Sequence, residues 1–178
     1  MKPALTWAGA ALLLPLFGCG SMGSGGASSA ADEQHPLLGA AAPAFDLASP
    51  DGKQKVSLAK YAGKVTVVDF WATWCTPCHE SFPAYQRISQ KYDGAVQVIG
   101  ISVDEDASGI PKFVKETGAT FSIAWDDGQI TSKSYQPATM PTSYVIDKTG
   151  IVRFVHSGFH SGEEQQLESE IDSLLKPH

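Results

Sequence analysis

Hydrophobic positions along this chain fall into short β-like runs and two helix-like stripes. Phe45 and Leu47, then Val56 and Leu58, alternate on either side of Asp51-Gly52, which predicts a small hairpin with a turn between its arms. Val65 to Trp71 is a continuous β-prone run, as in a strand buried on both faces, and Val96 to Val103 predicts a second. Between them a helix runs to about Tyr92, with Phe82, Tyr85 and Ile88–Ser89 inward and Gln86, Arg87, Gln90 and Lys91 outward. Pro83 lies inside it and predicts a kink. Pro111 to Thr117 predicts a short helix with proline in its first turn. Ser143 to Ile146 and Ile151 to Val155 flank Asp147-Lys148-Thr149-Gly150 and predict a second hairpin. Glu163 to Leu175 predicts a terminal amphipathic helix with Leu167, Ile171 and Leu174 inward. A β-α-β start with a β-β-α finish implies an α/β fold on a mixed central sheet flanked by helices.

The N-terminus carries a different pattern. Lys2 is followed by a mostly apolar stretch, Ala4 to Phe17, of 14 residues, shorter than an ordinary membrane-spanning helix. It ends in Leu16-Phe17-Gly18-Cys19, which resembles the lipobox of bacterial lipoproteins, with Cys19 as the lipidated residue. The alternative is an ordinary signal peptide with Cys19 incidental. Gly20 to Gln34, rich in Gly, Ser and Ala, reads as a tether with a span of roughly 20 Å. The expected organisation is thus a lipoprotein signal peptide over 1–18, lipidated Cys and flexible tether over 19–35, and one folded domain over 36–178.

Among 178 residues the net charge is −6, with no Lys/Arg run and no basic-aromatic strip. Nucleic acid is therefore not an expected partner, because neutralising phosphates takes clustered cations. The chain has three cysteines. With Cys19 assigned to lipid, Cys75 and Cys78 remain, and a loop that small constrains the unfolded chain little. Their expected role is chemical.

Cys75 and Cys78 straddle the first turn of the helix in Trp74-Cys75-Thr76-Pro77-Cys78. Unsatisfied N–H groups and the helix dipole there favour an anion, so the Cys75 thiol should ionise readily. Cys75 is the expected attacking thiol, exposed to substrate, and Cys78 the resolving one. A zinc site is disfavoured, because four N/S ligands are needed and His79, His156 and His160 lack ligand spacing. No metal or other cofactor is expected. Peroxidase chemistry is the other alternative, since an N-terminal hairpin also occurs in peroxiredoxin-like proteins. Those usually have a Thr three residues before a lone Cys, where this chain has Ala72.

Asp69 interrupts the first buried strand, where a carboxylate is costly without a task or partner. Desolvation should raise its pKa and make it a proton acceptor for Cys78, the alternative being a local cap or pair. Pro141, read by itself, is a turn residue with an ordinary trans bond.

Taken together, these residues resemble the TlpA/ResA-like membrane-anchored thioredoxins of the thioredoxin superfamily. The resemblance covers Phe45 to Val155. It rests on Asp51-Gly52, Gly63-Lys64, the run Val68-Asp69-Phe70-Trp71-Ala72-Thr73-Trp74-Cys75-Thr76-Pro77-Cys78, Pro83, Ile99 to Asp104, and Met140-Pro141-Thr142. It implies a thioredoxin fold with an N-terminal hairpin and a central insert from about Ser108 to Pro137. It also implies a cis-proline at Pro141, backbone pairing of substrate at Met140, and Trp74 beside the thiols. Two departures stand out: Asp69 replaces the Asn of many such relatives, and Ser81 replaces the acid that ResA-type members carry. The implied function is a lipid-anchored, extracytoplasmic thiol–disulfide oxidoreductase. It would reduce protein disulfides, such as those of apocytochrome c or copper-site proteins, with electrons from a membrane thiol donor. The second class is a copper-binding or delivery module using Cys75, Cys78 and a His. The expected location is the bacterial cell envelope, lipid-anchored and facing the periplasm; Gly20 lacks the Asp that commonly retains lipoproteins in the inner membrane, which leaves the outer membrane as an option.

Overall fold

The computed structural model describes Met1 and residues 34–177; the expected signal peptide, Cys19 and nearly all of the tether lie outside the described residues. The strand run from Val65 forms β3 (Val65–Trp71), and every one of its residues is buried. β4 (Val96–Ser102) pairs parallel beside it, and β6 (Thr142–Ile146) pairs antiparallel on the other side. β7 (Val152–Ser157) completes the second hairpin. The Asp147 carboxylate accepts bonds from the Thr149 and Ile151 N–H groups and from Arg153 Nε across this turn. Partial desolvation opposes ionisation, but the Thr149 hydroxyl, at 2.7 Å, and these donors outweigh it and hold the pKa well below the usual carboxylate range.

The N-terminal hairpin is β1 (Asp46–Ala48) against β2 (Lys55–Ser57), with Leu47 opposite Val56. Leu58 turns into a short 3₁₀ segment instead of extending the second arm. The segment after Ser108 holds more structure than its pattern implied: α2 (Ile110–Thr117), then β5 (Ser122–Trp125), then α3 (Ile130–Tyr135). β5 pairs parallel with β4 and contacts β1, so it is the strand that joins the N-terminal hairpin to the sheet. The seven-stranded order is β2-β1-β5-β4-β3-β6-β7.

α1 (Cys78–Lys91) runs as one helix through Pro83 and buries Phe82, Tyr85 and Ile88. α4 (Glu163–Leu175) buries Leu167 and Ile171, with Leu174 half-buried. The two helices are tied at their outer faces by Arg87, whose guanidinium donates to both Glu164 carboxylate oxygens at 2.7 and 2.6 Å.

Alternation along β3 sorts the core into two layers. Phe70 meets Tyr135 and Tyr144 on one face, and His35 stacks edge-on against Tyr144 there. On the other, Trp71 packs on Phe82 and Phe113, with centroids 4.6 and 4.5 Å apart. Burying each such ring contributes about 1.5–3 kcal/mol. Asp69, two residues from Trp71, shares that second face.

Candidate active site

β3 ends at Trp71, and the chain must turn before α1 can begin. The turn is pinned from β4. The Asp104 carboxylate accepts from the Thr73 N–H at 3.0 Å, from the Thr73 hydroxyl at 2.8 Å and from the Ser102 hydroxyl at 2.7 Å. Sequence reasoning placed Asp104 only at the end of a strand motif. An acid closing a buried strand beside the cysteine loop was the signal for its role.

Cys75 and Cys78 form a disulfide, with Cα atoms 5.4 Å apart. Cys78 is the first residue of α1, and its backbone N–H donates to the Cys75 sulfur at 3.2 Å. The helix N-terminus therefore points at the sulfur that would carry the negative charge in the reduced form. Cys75 was expected to be exposed, yet only 3% of it is accessible. In the closed pair its sulfur is turned back onto Cys78 and the helix N–H. The exposed group at this end is Trp74, with 68% of its surface accessible.

The Met140–Pro141 bond is cis, where reading the residues alone gave trans and the family resemblance gave cis. Pro141 is buried, and its carbonyl accepts from the Gly158 N–H at 2.7 Å. Met140 stays half-exposed and lines a groove with Trp74, Thr73, Glu105 and Gln129.

Asp69 is fully buried on β3, opposite Ser143 of β6 and Gly100 of β4. Loss of solvent pushes its pKa well above the usual carboxylate value, and the Glu163 charge adds to that. The Tyr85 hydroxyl is the neighbour that eases its ionisation, although neither carboxylate oxygen completes a hydrogen bond among the described residues. The same burial raises the Tyr85 phenol, and the Asp69 charge raises it further. Tyr85 lies seven residues after Cys78, on the same buried face of α1. Ser81 is buried between them, its hydroxyl on the Cys78 carbonyl at 3.3 Å.

The remaining histidines of interest separate. His79 stacks on Phe113 at 4.4 Å, while His156 lies between two carboxylates on the far strand β7. Among the described residues no group of three or more His, Cys, Asp or Glu is gathered as a metal site.

The AhpC/TSA family model matches residues 38–155. The thiol-disulfide oxidoreductase ResA of Bacillus thuringiensis is 35% identical over 145 residues, 81% of this chain and 82% of that protein. The thioredoxin-like protein YneN of Bacillus subtilis is 29% identical over 75% of this chain and 79% of its own length. Among solved structures, a Chlorobium tepidum chain assigned as the thiol:disulfide interchange protein DsbE superposes with a TM-score of 0.74. It is 35% identical and covers 78% of this chain and 98% of its own.

Proposed function

This chain belongs to the AhpC/TSA family as a thiol–disulfide oxidoreductase of the ResA/DsbE type, and from that premise we propose that it is a lipid-anchored reductant of protein disulfides outside the cytoplasm. The observation that carries the reading is the Cys75–Cys78 pair at the α1 N-terminus, next to the groove that Trp74 and Met140 line, with a fully buried Asp69 on β3, the strand that leads into the cysteine turn.

In the reduced protein the Cys75 thiolate attacks a substrate disulfide and forms a mixed disulfide. Cys78 gives its proton to Asp69 and attacks the Cys75 sulfur. The substrate leaves as a dithiol and the protein is left as the oxidised pair. Met140 and the exposed Trp74 hold an extended substrate segment, with Met140 pairing through its backbone. Because the compartment is oxidising, a membrane thiol donor must return two electrons per cycle. Lipid on Cys19, followed by a Gly/Ser tether, would keep the domain at the bacterial envelope, facing the periplasm, on the inner or outer membrane. Apocytochrome c and copper-site proteins are the substrate classes this reading favours. The copper-delivery alternative needs a His beside the thiols, but the nearest, His79, is turned onto Phe113.

The deciding experiment equilibrates the domain with thiol buffers and reads the reduction potential of the pair. A value near roughly −270 mV supports a reductant; one near roughly −120 mV makes it an oxidant and overturns the proposal.

A further inference from the structure

Asp69 is the one member of a larger buried polar group that the steps above use. On the sheet face under α1 and α4, Asp69 pairs with Ser143, and Ser143 pairs with His156. Residues directly opposite on neighbouring strands share a face, so these three form a polar row across β3, β6 and β7. All three are buried, His156 with 4% of its surface accessible. α1 lowers Tyr85 onto the row, and α4 lowers Glu163 and Glu170. His156 Nε2 lies 2.8 Å from a Glu170 oxygen, and Nδ1 lies 3.8 Å from a Glu163 oxygen. An imidazolium has two N–H donors, and here both ring nitrogens face carboxylates.

The row also has an inner and an outer end. At the inner end, both Asp69 oxygens and the Tyr85 and Ser143 hydroxyls are buried without a completed hydrogen bond among the described residues. Hydroxyls so placed can turn between neighbours. At the outer end Glu170 reaches solvent, its side chain 12% accessible, and its second oxygen accepts from Gln166 Nε2 at 3.1 Å. The other polar groups at the rim are engaged: Arg87 with Glu164, and the His160 N–H with Glu163 at 3.0 Å. Such a chain of polar groups costs stability in an apolar layer, and replacing them with hydrocarbon is often neutral or stabilising.

We propose that this row, from Asp69 through Tyr85 and Ser143 to His156, Glu163 and Glu170, is a proton path that connects the resolving cysteine to solvent. The inference rests on the reading of Asp69 as the Cys78 proton acceptor. During resolution the Cys78 thiol gives its proton to Asp69, and the Cys78 thiolate attacks the Cys75 sulfur. The bond between Cys75 and the substrate sulfur breaks, and its electron pair leaves on the substrate thiolate. The proton on Asp69 then passes by the Tyr85 and Ser143 hydroxyls to Glu163 and His156, and leaves by Glu170. Reduction of the pair by a thiol donor runs the same path inward.

The test follows single-turnover reduction of a protein disulfide by the pre-reduced domain, as a function of pH, with and without imidazole in the buffer. His156→Gln should slow the resolving step several-fold without moving the reduction potential, and imidazole should restore the rate. Glu170→Gln should show a smaller effect of the same kind. In an Asp69→Asn background, His156→Gln should add nothing, since the path has lost its head. If Asp69→Asn itself resolves at the wild-type rate, the role of Asp69 falls and the path with it. If Asp69→Asn is slow while His156→Gln and Glu170→Gln run at full rate, or if their loss ignores imidazole, the path alone is overturned. Should His156→Gln fail to fold, the neutral pair His156→Gln/Glu163→Gln carries the same comparison.

Discussion

The Asp104 carboxylate grips Thr73 twice, through the backbone N–H at 3.0 Å and the hydroxyl at 2.8 Å, and so ties the end of β4 to the turn that presents Cys75. Asp104→Ala leaves these donors and the Ser102 hydroxyl short of an acceptor in a buried setting. It should cost about 2–3 kcal/mol in urea unfolding. Freeing the turn also misplaces the sulfur, so protein-disulfide exchange should fall roughly tenfold or more. Thr73→Ser, which keeps both donors, should stay near wild type.

Asp69 gives stability a pH dependence of definite sign. Its folded pKa is raised, chiefly by desolvation, so the folded state holds the proton more tightly than the unfolded chain. The carboxyl costs nothing extra below its unfolded pKa of about 3.9, and stability is then lost as pH rises toward the folded value. Asp69→Asn should therefore be more stable than wild type at neutral pH, with the gap closing as pH falls toward about 4. A gap that widens on acidification would sink this account.

Gly100 lets Trp71 lie where it does. A Cβ there would sit 3.1 Å from Trp71 Nε1 and 3.2 Å from Ile123 Cδ1. Trp71 is fully buried between Phe82 and Phe113, so it has little room to give. Gly100→Ala should destabilise by about 1–3 kcal/mol, as overpacking does, measured by urea titration with the tryptophan fluorescence as probe.

Most of the sheet was legible because its strands are buried on both faces and written as unbroken apolar runs. Val65–Trp71 needs no context to be recognised. β5 was not, because Ser122–Trp125 is four residues long and mixes polar with apolar. Its strand character comes from pairing with β4, which no local pattern records. α3 was missed for a related reason. It buries Thr131 and Ser132 and owes its start to Asp126, whose carboxylate accepts from both their N–H groups. In the site, the cysteine spacing stated its own chemistry. The row from Asp69 to Glu170 could not be read, because its members come from five elements, β3, α1, β6, β7 and α4, that only the sheet register and the packing of the two helices bring together.

Trp74 is exposed and beside the thiols in sequence, so the proposed mechanism gives it contact with substrate and not support of the fold. Trp74→Ala should change stability by no more than about 0.5 kcal/mol. The KM for a protein disulfide should rise severalfold, because an exposed aromatic anchor is lost. A small disulfide such as oxidised glutathione makes little use of the groove, and its rate should hardly move. Equal losses for both substrates would mean that Trp74 positions the cysteines instead.

Cys75 and Cys78 should separate cleanly in a trapping experiment. The Cys78 N–H donates to the Cys75 sulfur, while Cys78 itself is fully buried on α1. Cys75 is thus the sulfur that the helix N-terminus would stabilise as a thiolate, and Cys78 the one that must wait for an attack from within. Cys78→Ser should leave the first step intact and remove the second. Incubated with an oxidised protein substrate, it should accumulate a mixed disulfide through Cys75, visible as a mass increase that dithiothreitol reverses. Cys75→Ser should accumulate none, because its remaining thiol is out of reach of a substrate sulfur. Trapping by Cys75→Ser and not by Cys78→Ser would reverse the two roles. It would also remove Asp69 from the resolving step, since the group it serves would then be the first attacker.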